Sequence, residues 1–220
     1  MLYIIATPIG NLEDITFRAL EVLKDADFIL CEDTRVTSKL LARFNLKIPT
    51  ISYHQHSKLQ KLQKIKELLE EGKVLAMVSD AGTPGISDPG GQLVEYISKE
   101  LPGIKIIPIP GASALSSALS ISGFSADRFV FLGFPPHKKG REKFFKELVE
   151  YKYTVVLFES KYRILKTLDE IKKYSGDKEA LVARELTKMF ETLYRGKLSE
   201  ISEQIAKTTP RGEYVIIVKK

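Results

Sequence analysis

Apolar residues along this chain switch between two spacings. Short unbroken runs such as Leu2-Tyr3-Ile4-Ile5-Ala6, Phe28-Ile29-Leu30-Cys31 and Val74-Leu75-Ala76-Met77-Val78 are separated by stretches in which apolar residues return every three or four positions. An unbroken apolar run bounded by Gly, Pro or polar residues predicts a strand buried on both faces, and the wider spacing predicts an amphipathic helix. In the first half this predicts strands at 2–6, 28–31, 50–53, 74–78 and 104–109. Helices are predicted at 15–24 with Asp14 as N-cap, 37–44, 59–71 ended by Gly72, 92–99, and from about 113. Strand and helix alternate, so a mostly parallel sheet with covering helices is expected. That run ends at Gly123. Strands at 129–132, 154–158, 180–183, 192–194 and 214–218 follow, with helices at 142–151, 163–174 and 198–207. Their close spacing near the end predicts a mixed sheet with antiparallel pairs. Two α/β domains are expected, 1–120 and 121–220, with the boundary between about 118 and 127.

One loop carries most of the backbone punctuation. Val78-Ser79-Asp80-Ala81-Gly82-Thr83-Pro84-Gly85-Ile86-Ser87-Asp88-Pro89-Gly90-Gly91 joins a predicted buried strand to a helix with Leu93, Tyr96 and Ile97 on one face. Glycines permit conformations closed to other residues and let a ligand approach the main chain, while Pro84 and Pro89 stiffen the path. The plain alternative is a tight turn whose aspartates only cap helices or close Asx-turns. Three further loops share its small residues and prolines: Thr7-Pro8-Ile9-Gly10-Asn11, Pro110-Gly111-Ala112-Ser113-Ala114 and Gly133-Phe134-Pro135-Pro136. Loops after parallel strands of one sheet emerge on one side, so the first two and the central loop are expected to line one crevice, where open α/β sheets bind ligands. Neither Gly-x-Gly-x-x-Gly nor a Walker phosphate loop occurs, which argues against an ordinary dinucleotide site and an ATPase.

Composition adds exclusions. The 220 residues are 44% apolar, with no apolar run of membrane-spanning length and no signal-like start, so a soluble, cytoplasmic protein is expected. The one cysteine, Cys31, lies in an apolar run and reads as a buried, inert thiol. No metal site is expected, since His54 and His56 lack a third ligand nearby. The net charge of +6 is uneven: residues 1–120 hold 13 basic and 14 acidic side chains, residues 121–220 hold 21 and 14. A basic second half favours a polyanionic partner. Lys138, Lys139, Arg141, Lys143 and Lys146 follow the Pro-Pro turn, and Lys161 and Arg163 follow another strand end. Lys138, Lys139, Arg141, Lys161 and Arg163, with Arg35 and Arg184, are candidate contacts to the phosphates of such a partner, whereas Lys143 and Lys146 read equally as a solvated helix face.

Together, Thr7-Pro8-Ile9-Gly10-Asn11-Leu12, Cys31-Glu32-Asp33-Thr34-Arg35, residues 79–90, Pro110-Gly111-Ala112-Ser113-Ala114 and Arg184-Glu185-Leu186-Thr187-Lys188 resemble the ribosomal RNA small subunit methyltransferase I family, a branch of the tetrapyrrole methylase superfamily. The similarity spans nearly the whole chain, in order. It implies a two-domain α/β fold of that superfamily, S-adenosylmethionine held folded in a cleft between the domains, a homodimer, and 2′-O-methylation of a cytidine in 16S ribosomal RNA near the decoding centre. Carried over by motif, the cofactor contacts are Pro8, Asp80, Ala81, Gly82, Thr83, Ile86, Ser113, Ala114, Phe158 and Leu186. Three positions depart from the pattern. Thr83 stands where many tetrapyrrole enzymes carry aspartate, Ala112 where the ribosomal branch often has proline, and Ser160-Lys161-Tyr162 replaces its usual Ala-Pro-His.

Glu185 and Lys188 are the candidate catalytic residues, positioning or polarising a ribose hydroxyl. A lysine acts as base only if its pKa is depressed; left charged, it stabilises a developing alkoxide. Two rival readings remain: a related enzyme acting on a tetrapyrrole or a modified protein residue, and a non-catalytic RNA-binding module.

Overall fold

A computed structural model of the chain describes residues 1–54 and 59–220. Two compact units divide it, Met1–Ser113 and Ala114–Lys220. His56, half of the histidine pair considered above, lies outside the described residues.

In the first unit, strands β1 (Leu2–Ile5), β2 (Phe28–Cys31), β3 (Thr50–Ser52), β4 (Leu75–Val78) and β5 (Ile106–Ile109) form one sheet in the order β3-β2-β4-β1-β5. Every pairing in it is parallel. Both faces are covered, which is why the strands read as unbroken apolar runs. Leu75 and Met77 of β4 join a cluster with Ile65, Leu68 and Leu69 of α3 (Leu59–Glu70) and Leu93 and Ile97 of α4 (Gly90–Glu100). Ala76 and Val78 face the other way, against Ala19 and Leu23 of α1 (Phe17–Asp25) and Leu41 of α2 (Thr34–Arg43). Cys31 is buried in that second layer, where burial above all raises the pKa of its thiol.

Two helix starts differ from expectation because a different side chain caps them. Asp14 ends a short 3-10 turn, and Thr16 caps α1 by accepting the Ala19 N–H at 3.1 Å. Helix α2 begins three residues early because Asp33 accepts the Arg35 N–H at 2.8 Å.

In the second unit, β6 (Phe129–Phe131), β7 (Thr154–Ser160), β8 (Glu179–Arg184), β9 (Thr192–Lys197) and β10 (Glu213–Val218) form a mixed sheet in the order β6-β7-β10-β8-β9. Strand β6 runs parallel to β7, and the other pairings are antiparallel. Val155, Leu157, Val182 and Ile216 pack with Phe145 of α6 (Arg141–Leu148), Leu168 and Ile171 of α7 (Ile164–Ser175) and Ile201 of α8 (Leu198–Ala206). Helix α5 (Ala114–Ser122), expected with the first domain, belongs to this unit. It lies against β10, and the Arg195 guanidinium donates to the Ser122 carbonyl at 3.0 Å. Its Ala- and Ser-rich sequence gave no sign of that attachment.

Candidate functional site

Because β4, β1 and β5 are parallel neighbours, the loops after them leave along one edge of the first sheet. They are bonded together there. Thr7 and Gly82 exchange both backbone hydrogen bonds, at 2.9 and 3.0 Å. The Thr7 hydroxyl donates to the Ser79 carbonyl at 3.0 Å, and the Thr83 hydroxyl donates to the Ala112 carbonyl at 3.3 Å. A Cβ at Gly82, where φ is +84°, would lie 3.3 Å from Ile9 Cγ2. The left-handed backbone and the close approach of the Ile9 side chain both favour glycine there. Pro8 and Gly82 are buried; Asp80, Ala81 and Ile86 are exposed, and Thr83 and Ser113 are partly so.

The two aspartates of the central loop differ in what they hold. Asp88 closes the turn: its Oδ1 accepts the N–H groups of Gly85 at 2.7 Å and Gly90 at 2.8 Å. Asp80 is turned outward and accepts the Asp33 N–H at 3.1 Å. Burial raises the Asp80 pKa, and the Asp33 charge adds to the rise against that N–H bond. Sequence reading left Glu32 and Asp33 out of the site; β2 lies beside β4 and brings both in. Burial raises the Glu32 pKa, with Asp80 and Asp88 adding repulsion. Asp33 is held at about 2, first by the Arg35 side chain and then by the Arg35 N–H. Arg35 binds Asp33 in a fork, Nη2 to Oδ2 at 2.6 Å and Nε to Oδ1 at 3.0 Å. The readable signal for these residues was their place right after a buried strand.

In the second unit the strand directions bring the ends of β6, β7 and β8 and the starts of β9 and β10 to one edge: Ser160 pairs with Glu213, Tyr214 with Arg184, and Arg184 with Thr192. Two expected RNA contacts turn inward here. Arg141 is 4% exposed and donates to Glu170 at 2.7 Å, to Thr167 Oγ1 at 2.7 Å and to the Pro136 carbonyl at 2.9 Å. Arg163 donates to the Pro135 carbonyl at 2.8 Å and pairs with the buried Glu159 at 2.8 Å. Thr167 joins the two arms by donating to Glu159 at 2.7 Å. Both arginines anchor the Pro-Pro turn from beneath, which corrects their assignment as phosphate contacts. Lys143 and Lys146 pair with Glu147 and Glu142 one helical turn away, as a solvated face does. Lys138, Lys139 and Lys161 are exposed, and Arg184 donates Nε–H to the Arg211 carbonyl at 3.0 Å.

The 185–191 loop is tightly held. Lys188 bonds Glu185 at 2.9 Å and Glu213 at 2.8 Å, and Glu185 also accepts the Glu213 N–H at 3.0 Å. Glu185 and Thr187 adopt left-handed backbone at φ of 51° and 62° although neither is glycine, a strain of the kind that marks functional loops. Burial works against the Lys188 charge, but Glu213 and Glu185 outweigh it and raise the pKa. Burial likewise opposes the Glu185 charge, and the bonds from Lys188 and the Glu213 N–H outweigh it and lower the pKa. The two carboxylates therefore favour the Lys188 ammonium, the form suited to a cation rather than to a base. Leu186 is buried at 8% exposure, and the Phe158 ring meets Phe131 and Phe134 edge-on at 4.8 and 5.6 Å. Ala114 opens α5.

A parallel sheet followed by a mixed sheet is the fold this chain shares with solved methyltransferases. Residues 1–202 match the tetrapyrrole (corrin/porphyrin) methylases, and the chain belongs to that family. Within it, the chain is 45% identical over 217 residues to the ribosomal RNA small subunit methyltransferase I of Thermotoga maritima, covering 99% of this chain and 97% of that protein. It is 44% identical over 220 residues to the protein of the same name from Synechocystis, covering 99% and 78%. Among solved structures it resembles the methyltransferase CobJ, with a TM-score of 0.73 at 18% identity, covering 100% and 93% of the chains. It also resembles uroporphyrin-III C-methyl transferase from Thermus thermophilus complexed with S-adenyl homocysteine, with a TM-score of 0.68 at 18% identity, covering 100% and 97%. At these identities the solved structures speak for the fold alone.

Proposed function

We propose that the protein is an S-adenosylmethionine-dependent ribosomal RNA methyltransferase, and more finely that it methylates the 2′-hydroxyl of a cytidine in 16S RNA near the decoding centre. The observation that carries the reading is the bonded cluster of the three first-unit loops, Thr7 to Gly82 and Thr83 to Ala112, inside a chain that is 45% identical to a ribosomal RNA methyltransferase over almost all of both lengths. The residues fit the cofactor. Ala81 and Ile86 offer exposed apolar surface, and Asp80 offers an outward carboxylate to the amino acid end of the ligand. Ser113 and Ala114, and in the second unit Phe158 and Leu186, are the remaining proposed contacts.

When bound, S-adenosylmethionine supplies an electrophilic methyl group. The chain's own task is to hold the ribose oxygen in line, about 3 Å from that carbon, and to favour its alkoxide. Lys188, kept charged by Glu185 and Glu213, is the proposed cation for that oxygen. Lys138, Lys139, Lys161, Arg184 and Arg35 are the proposed phosphate contacts. A homodimer in the cytoplasm completes the reading, and light scattering at micromolar concentration tests its oligomeric part.

The deciding experiment maps 2′-O-methyl groups on 16S RNA from cells with and without this protein, beside labelled methyl transfer in vitro to small subunits, free 16S RNA and a tetrapyrrole. Loss of one cytidine methyl, with transfer to RNA, is expected. Transfer to the tetrapyrrole alone, or to nothing, refutes the reading.

A further inference from the structure

Three aromatic rings stand in solvent along the strand-end edge of the second sheet. Phe134 is 50% exposed, Tyr162 85% and Phe190 71%. Single exposed apolar side chains are ordinary; rings gathered on one edge between cations are not. The strand order β6-β7-β10-β8-β9 sets their sequence along the edge, with Phe134 after β6, Tyr162 after β7 and Phe190 between β8 and β9. At about 4.8 Å between strands, the edge runs roughly 19 Å, long enough for several nucleotides of a single strand.

Two of the loops that carry the rings, those of Phe134 and Phe190, are held by hydrogen bonds. The Arg163 bond to the Pro135 carbonyl and the Phe158 ring hold the loop of Phe134. Lys188 holds the loop of Phe190 from one side, and the Thr187 N–H, donating to Glu191 at 2.7 Å, holds it from the other. Lys138, Lys139 and Lys161 are exposed among the rings, and the Lys161 ammonium already lies over the Tyr162 ring at 4.9 Å. Of the acidic groups at this edge, Glu185 and Glu213 share the one Lys188 ammonium, and Glu191 accepts the Thr187 N–H.

We propose that this edge binds an unpaired RNA segment, with Phe134, Tyr162 and Phe190 stacking on its bases and Lys138, Lys139 and Lys161 meeting its phosphates. This rests on RNA being the substrate and adds how it is read. Rings that project from loops find base faces only where the bases are unstacked, so the edge selects single-stranded loops or ends over duplex. The same feature explains why the cations alone do not account for the surface, since a duplex backbone would need no rings.

The test replaces each ring with leucine (Phe134→Leu, Tyr162→Leu, Phe190→Leu), singly and together, with thermal unfolding to verify the fold. Binding of a short fluorescein-labelled single-stranded RNA, and of the same strand in a duplex, is followed across a salt series. Each change is expected to weaken single-strand binding by roughly 5- to 150-fold with an unchanged salt slope, and to leave duplex binding as it was. Wild-type affinity of the triple variant, or equal losses on both probes, overturns the proposal. Methyl transfer by the unaltered protein is scored separately. Transfer with no ring effect retains the reaction and rejects the stacking edge, whereas a ring effect with no transfer retains the edge and rejects the reaction.

Discussion

In the first unit the loops beyond β1 and β4 bond through their backbones, Thr83 ties them to the loop beyond β5, and the Asp80 carboxylate is turned outward. In the second unit the turn beyond β6 is held from beneath by the buried Arg141 and the half-buried Arg163, and cations and aromatic rings stand outward. The two regions occupy equivalent ends of their strands, so their difference comes from side chains. A surface held by backbone is sensitive to an added Cβ, and one held by buried charge is sensitive to a missing charge.

The sharpest way to break the second region is to unbalance what lies beneath it. Glu159→Gln leaves Arg163 without its buried partner, and should cost about 3–5 kcal/mol in urea unfolding. A loss well under about 1 kcal/mol would mean that the network is hydrated, and the contrast between the two regions would fall.

For the first region the matched pair is Gly82→Ala against Gly72→Ala. Both glycines have left-handed backbone, at φ +84° and +82°, so both changes should cost about 1–2 kcal/mol. Only at position 82 does the new Cβ meet another loop, at 3.3 Å from Ile9, so only Gly82→Ala should also weaken S-adenosylmethionine binding by calorimetry. Equal affinities in the two variants would detach the loop cluster from the cofactor.

Asp80→Asn sharpens the comparison through pH. The folded protein raises the Asp80 pKa, chiefly by burial, so the charged carboxylate opposes folding at neutral pH. The amide should therefore raise the melting temperature at pH 7, and the gain should fade as pH falls through the folded pKa and vanish below about 3.9, where both states are protonated. Cofactor affinity should drop at the same time. A variant that loses stability at pH 7 would contradict the strained carboxylate.

The smallest expected effect concerns the outer cations. Neutralising Lys138, Lys139 and Lys161 should lower the log–log salt slope of RNA binding by about 0.7–0.9 for each phosphate left unneutralised, with little change in stability. Neutralising the buried Arg141 should instead unfold the protein before it alters the slope.

Much of this was legible along the chain, and the exceptions share a cause. Strand ends fell within one or two residues for most strands, because unbroken apolar runs and the glycines after them are local signals. The three like loops were recognisable by composition before they were seen to bond. What could not be read was where a side chain finds its partner. Arg141 and Lys138 look alike in sequence, and only the fold brings Thr167 and Glu170, nearly thirty residues on, to Arg141. Asp14 is intrinsically the better cap, but it ends the preceding 3-10 turn and Thr16 takes the capping position. Helix α5 carries no mark of which sheet it covers.

The position of β1 also governs when the first unit forms. This strand lies inside the sheet, with Leu2 paired to Leu75 on one side and to Ile106 on the other. Neither partner exists until long after β1 has been made. At roughly 5–20 residues per second the ribosome needs about 5–20 s to deliver both. Until then the earliest strand offers two unsatisfied edges, and high sequence separation makes the pairing slow once its partners arrive. The first-unit loops therefore close in the same late event as the sheet, so a partly synthesised chain has no site to expose.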